Sequence, residues 1–290
     1  MKNDMRALIA ILLATFCCAC FAQTDYARDG NKAPDYARDG NKAPDHARDG
    51  NNAPDHARDG NNAPDYAREK RWADEVTPGL VVGDAVYLTQ KSGHKFLAIY
   101  TAVSQPRAAV ITVHGLGVHP DWGLVGALRS GLADNGYATL SVQMPVLEAG
   151  ALAEEYSALF ADAADRLRAA VAYLHGKGHR KIALAAHSLG ARMSNFYLTG
   201  TPDNGVDAWV SIGISNGQFA EPARLRAPIL DIYGERDFAI VLKQAATRAA
   251  VLKTLKGSAQ IEVAGADHYF AGSERELVKQ AGQFLDRRFR

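Results

Sequence analysis

Cysteine is missing from the 290-residue chain after position 20; Cys17, Cys18 and Cys20 are the whole complement. That absence excludes a disulfide, a thiolate metal site and a cysteine nucleophile from everything downstream. Net charge is also nearly absent, at +1. The balance offers no electrostatic reason to expect nucleic acid or an anionic membrane as partner. Long apolar runs are scarce too. The one at the start, Ala7 to Ala22, is short for a membrane span.

What is present begins with that run. Lys2 and Arg6 precede it, and Cys20 and Ala22 are the small residues before a cut after Ala22. This is the pattern of a secretory signal peptide over residues 1–22. Lipid attachment at Cys20 is the alternative, but Cys17 stands where bacterial lipoprotein signals carry a larger aliphatic residue. Either route exports the protein to the periplasm or cell envelope, with a membrane contact expected only if Cys20 is lipidated.

From Asp25 the chain repeats every ten residues: DYARDGNKAP twice, then DHARDGNNAP twice. A fifth copy starts at Asp65 and decays into DYAREKRWAD. Each unit carries the turn-formers Asp-Gly-Asn and Ala-Pro and one ring to bury. That does not offset the entropy of ordering ten residues, so 23–70 is expected to be a disordered tether. Asp29-Gly30-Asn31 has part of a calcium-loop pattern, but Ala27 breaks the alternation of oxygen ligands, which favours a spacer without ligand. The repeats name no partner.

Residues 71–290 read as one domain. Apolar runs at 85–90, 95–103, 108–114, 137–143, 180–186, 207–214, 228–233 and 259–264 predict eight strands. Helical spacing marks 121–134, 151–175, 189–199, 239–255 and 274–288. Such alternation predicts an α/β domain, with a mostly parallel eight-stranded sheet and helices on both faces. The first two strands, separated only by QKSGH, suggest an antiparallel start. Ligands of these sheets bind beyond the carboxyl ends of the strands.

Chemistry-bearing residues stand at those ends. His114-Gly115-Leu116-Gly117 follows one strand and His187-Ser188-Leu189-Gly190 another. Gly234-Glu235-Arg236-Asp237 follows a third, and Ala266-Asp267-His268 the last. A serine, an acid and a histidine therefore occur in the order of a nucleophile-elbow enzyme. Ser188 would attack a carbonyl carbon, His268 would take its proton, and Asp237 would fix the imidazole tautomer. The amides of Leu116 and Leu189 would hold the oxyanion. Asp231 is a rival acid, but it lies inside an apolar strand and is expected to make a face contact. His114 is expected to be structural, and His119 and His187 to be pocket wall. Asp121 is expected to cap a helix with Trp122 packing beside it, and Asp267 to be solvated. The histidine spacing predicts no metal site.

These motifs resemble the α/β-hydrolase superfamily over roughly 85–285. The segment VHGLGVHPDWGLVGALRSGLADNGYATLSVQMP (113–145) further resembles a bacterial α/β-hydrolase-like family of uncharacterised function. The resemblance implies hydrolysis of esters, thioesters or amides with no metal or organic cofactor. The chain departs from the usual Gly-x-Ser-x-Gly elbow at Ala186. The superfamily often inserts a lid between strands 207–214 and 228–233; only a short segment intervenes here, so no large lid is expected. The expectation is an exported serine hydrolase acting on small carboxylic esters. A non-catalytic envelope scaffold, or an amidase or peptidase with the same triad, is the alternative.

Overall fold

The computed structural model describes residues 63–290. The leader over 1–22, lipid attachment at Cys20, and the four full repeats with their calcium reading, apart from Ala63 and Pro64 at the end of the fourth, lie outside the described residues. Among the described residues no helix is long and apolar enough to cross a membrane.

Eight strands form one sheet: β1 (Asp84–Thr89), β2 (Lys95–Thr101), β3 (Ala109–Val113), β4 (Ala138–Val142), β5 (Ile182–His187), β6 (Ala208–Ile212), β7 (Ile229–Arg236) and β8 (Ala259–Asp267). Their order is β1-β2-β4-β3-β5-β6-β7-β8. β1 runs antiparallel to β2, and β2 antiparallel to β4. Every other pairing is parallel. The mostly parallel eight-stranded sheet and its antiparallel start are as the sequence predicts.

The helices are α1 (Tyr66–Val76), α2 (Gly123–Asp134), α3 (Phe160–Gly176), α4 (Leu189–Gly200), α5 (Ala239–Lys243), α6 (Ala245–Leu252) and α7 (Glu274–Arg288). Central strands are buried on both faces, so alternate residues feed two cores. Ile111 and Val113 join Leu167 and Val171 of α3 and Met193 of α4 on one side. Val110 joins Leu128 of α2 and Leu277 and Phe284 of α7 on the other.

Three expectations need correction. The boundary expected at 70/71 falls inside α1, which starts at Tyr66 with Asp65 as its N-cap, accepting from the amide of Arg68 at 2.8 Å. Glu69 of this helix is buried against the fully buried Arg166, Nη1 to Oε2 at 2.9 Å and Nη2 to Oε1 at 3.0 Å. Packing thus orders a segment that composition assigned to the tether. Second, the helix expected over 151–175 starts only at Phe160, after a 3-10 turn over Glu155–Leu159. Third, the helix expected over 239–255 breaks at Gln244 into α5 and α6.

Candidate active site

Ser188 lies between the end of β5 and the start of α4, and its backbone has φ 55° and ψ −117°. An L-residue holds such a conformation only where its surroundings over-determine it, at a cost of about 1–3 kcal/mol. The surroundings are visible. The Ser188 amide donates to the Ile212 carbonyl at 2.9 Å. Gly190 lies so close to β3 that a Cβ there would sit 2.2 Å from the His114 carbonyl oxygen. Ser188 makes no side-chain capping bond, so its hydroxyl is free for another partner. Ala186 explains its own departure from the usual motif: it is a buried β5 residue, in register with Val113 and Ser211, and its methyl is part of the core on the α3/α4 side.

That other partner is His268, at the carboxyl end of β8. Its Nε2 lies 2.9 Å from Ser188 Oγ, and its Nδ1 lies 2.5 Å from Asp237 Oδ1. A carboxylate only accepts, so Nδ1 carries the proton and Nε2 is left to accept from the serine hydroxyl. All three residues are buried. Burial works to raise the Asp237 pKa. The hydrogen bond and charge of His268, with the Phe238 and Gly234 amides, overcome this and hold it below the usual carboxylate value. Gly213, at φ 52°, lets the end of β6 pass under the pair: a Cβ there would lie 3.0 Å from Asp237 Oδ2 and 3.1 Å from His268 Nδ1.

Asp231 is elsewhere. It is fully buried, and its Oδ2 accepts from Arg248 Nε and Gln260 Nε2, both at 2.8 Å. It is the face contact that an acid inside an apolar strand implies. Leu116 is the third residue after β3, and Leu189 is the first residue of α4. A first-turn amide has no acceptor within its own helix. Neither of the two amides has a backbone acceptor among the described residues.

The remaining histidines separate by burial. His114 is buried and its pKa falls to about 3, burial being the main cause. Its Nε2 accepts from the Met144 amide at 2.8 Å and its Nδ1 donates to the Gly115 carbonyl at 2.9 Å, which makes it the structural residue expected. His187 is pushed down to about 3 by burial and by the neighbouring His268. Its Nε2 donates to the His268 carbonyl at 2.9 Å. It is therefore more than pocket wall, because it holds the backbone of the residue that faces Ser188. His119 accepts from the Asp121 amide and packs near Trp72. Asp121 is not a cap: the α2 N-cap is Trp122, and Asp121 accepts from Arg129 Nε at 2.7 Å. Asp267 is not simply solvated either; its Oδ1 accepts from the amides of Tyr269 and Ala271 and shapes the turn that presents His268.

One side chain beside the site gave no sequence signal. Phe238 stacks flat on His268, centroids 3.9 Å apart at 21°. Tyr269 meets the same imidazole edge-on at 5.2 Å, and Trp122 packs against Tyr269. A groove of about 920 Å³ lies between α2 and α7 and includes none of these residues. Among the described residues no three His, Cys, Asp or Glu side chains converge as metal ligands would.

Residues 98–284 match the dienelactone hydrolase family, and residues 8–164 match a family described as protein of unknown function (DUF3530). No curated protein matches the chain. Among solved structures, a dienelactone hydrolase from Anabaena variabilis aligns with a TM-score of 0.58 at 21% identity, over 72% of this chain and 98% of that one. An α/β serine hydrolase without lid from Xanthomonas campestris aligns at 0.54 and 17%, over 72% and 95%. An esterase from Pyrococcus furiosus aligns at 0.56 and 16%, over 72% and 92%. At these identities the structural likeness carries the fold, and the family matches carry the rest. The chain is a hydrolase on the α/β-hydrolase fold and belongs to the dienelactone hydrolase family and, over its first half, to the family of unknown function (DUF3530).

Proposed function

We propose that this protein is an exported serine hydrolase that cleaves carboxylic esters through an acyl-enzyme on Ser188. The observation that carries the reading is the Asp237–His268–Ser188 relay, with both imidazole nitrogens engaged at 2.5 and 2.9 Å beneath a strained elbow.

His268 Nε2 takes the hydroxyl proton as Ser188 Oγ adds to the ester carbonyl. The negative charge that develops on the carbonyl oxygen falls to the amides of Leu116 and Leu189; losing one such donor typically slows an enzyme by about 10²–10³. Asp237 stabilises the imidazolium by charge and orientation and stays ionised. As the intermediate collapses, His268 gives the proton to the departing alcohol. Water then repeats the sequence on the acyl-enzyme, releasing the acid and restoring Ser188.

In the superfamily a lid is often inserted in the connection between β6 and β7. That connection carries only a 3-10 turn over Pro222–Arg224. Substrates are therefore small, soluble esters with short acyl chains. Export rests on the charged start and the short apolar run of the leader.

A fluorophosphonate probe on the full chain tests the reading. Wild type is labelled and hydrolyses a short-chain nitrophenyl ester, and Ser188→Ala loses both. Folded wild type that takes no label sinks the proposal and leaves a binding scaffold.

A further inference from the structure

The segment that joins the repeats to the domain reaches the oxyanion loop. Arg68, on the first turn of α1, donates from Nη2 to the Gly117 carbonyl at 3.2 Å and from Nη1 to the Leu147 carbonyl at 2.8 Å. Gly117 directly follows Leu116 and has φ 63°. One planar guanidinium thus bridges the loop after β3 to the loop after β4. It lies over the Trp72 ring, 4.6 Å from the centroid, which restricts its own orientation.

The anchor behind Arg68 is firm. The Asp65 amide donates to the Val146 carbonyl at 2.7 Å, and Asp65 caps the helix. One turn on, Glu69 grips Arg166, which also donates to the Gln143 carbonyl at 3.0 Å. From inside the domain, His114 holds the start of the loop through the Gly115 carbonyl, and Ser141 and Arg129 hold its far end at the Pro120 carbonyl and Asp121. The Leu116 amide lies between the Gly115 carbonyl held by His114 and the Gly117 carbonyl held by Arg68. An oxyanion donor works only when held about 2.7–3.1 Å from where the charge develops. A loop released at Gly117 loses that preorganisation next to Leu116 while its substrate contacts remain.

We propose that Arg68 is a positioning residue for the oxyanion loop, so that α1, the last repeat unit turned into helix, is a working part of the active site. This deepens the esterase reading and rests on it. The repeat-bearing segment then sets the rate of the site directly through Gly117.

The test uses the full chain with Arg68→Met, Arg68→Lys and, as a control on the same helix, Lys70→Met. Among the described residues Lys70 pairs with Asp74, in solvent. On a short-chain nitrophenyl ester, Arg68→Met should lower kcat by about 10- to 100-fold, part of the loss expected for a missing oxyanion donor. KM should stay within about twofold, a transition-state effect rather than a binding one. Arg68→Lys should recover part of the rate, and Lys70→Met should match wild type. An unchanged kcat, or a rise in KM alone, overturns the proposal. Hydrogen exchange provides a readout independent of activity: the amides of 115–118 should exchange at least about tenfold faster in Arg68→Met, with β5 unchanged. If wild type hydrolyses no ester, the esterase reading fails and this exchange measurement still decides the positioning role. Unchanged exchange at 115–118 would end it. Should Arg68→Met fail to fold, the same two measurements on Arg68→Lys, with a smaller expected effect in the same direction, replace it.

Discussion

Arg248 donates from Nε to Asp231 at 2.8 Å, and both side chains are fully buried. This pair separates two acids that stand six residues apart on and after β7. Arg248 also donates to the Gly217 and Val241 carbonyls, so the pair ties β7 to α6 and to the segment after β6. Asp231 is committed to that tie, and Asp237 faces His268.

The two acids should respond differently to the same change. Asp231→Asn leaves a buried guanidinium without its counter-charge, which should cost about 3–5 kcal/mol in urea unfolding. Asp237→Asn should cost less stability than Asp231→Asn but lower kcat by about 10⁴, because the imidazole tautomer is lost. An active Asp237→Asn would mean that another acid serves His268.

The elbow should tolerate substitution on one side only. A methyl at Gly190 would sit 2.2 Å from the His114 carbonyl oxygen, a contact no side-chain motion relieves. Gly190→Ala should therefore destabilise the fold by about 1–3 kcal/mol or more, through overpacking against backbone. Ala186→Gly removes one buried methyl and should cost only about 1 kcal/mol. Thermal melts of the two variants, side by side, check this asymmetry.

Stability should fall on acidification. His114 and His187 have folded pKa values of about 3, well below the ordinary imidazole value. The unfolded chain therefore takes up protons that the folded chain refuses between about pH 6.5 and pH 3. Their contribution is complete above that window and declines as pH drops through it. The slope reaches about 1.4 kcal/mol per pH unit for each histidine. Asp237, held below its usual value, adds to the loss at the acid end. His114→Gln, followed by urea unfolding at several pH values, should flatten the slope by one histidine's share. An unchanged slope would mean that this imidazole is not buried neutral.

Acyl-chain length tests the uncovered site. Turnover should be highest on acetyl and butyryl esters and should fall for chains of eight carbons and beyond, because the β6–β7 connection supplies no apolar cover. Faster turnover on long chains would contradict the small-ester reading.

The fold was legible because its signals are local. Strands such as AAVITV and KIALAA announce themselves by continuous apolar residues, and α7 by its spacing of Leu277, Ala281, Phe284 and Leu285. The candidate site was legible for a related reason. A parallel sheet gathers all its carboxyl ends along one edge, so residues just past the strands become neighbours whatever their separation in the chain. Ser188 and His268, eighty residues apart, were predictable partners on that ground. The start of the domain was misread, although a signal was there. The fifth repeat exchanges Asp-Gly-Asn for Glu69-Lys70-Arg71 and Pro for Asp74, replacing turn-formers and a helix-breaker with residues a helix accepts.

The sequence by itself determined the eight-stranded α/β order, the strand-end placement of Ser188, Asp237 and His268, and the absence of a long covering insertion. Tertiary structure alone decided that Asp231 belongs to Arg248, that His187 holds the His268 backbone, that Phe238 lies flat on the imidazole, and that Arg68 holds Gly117. Periodicity reports which face of an element is apolar, and it is a property of neighbours in the chain. A hydrogen bond or ring stack between distant residues depends on where two side chains end after every element has packed, and no local pattern encodes that position.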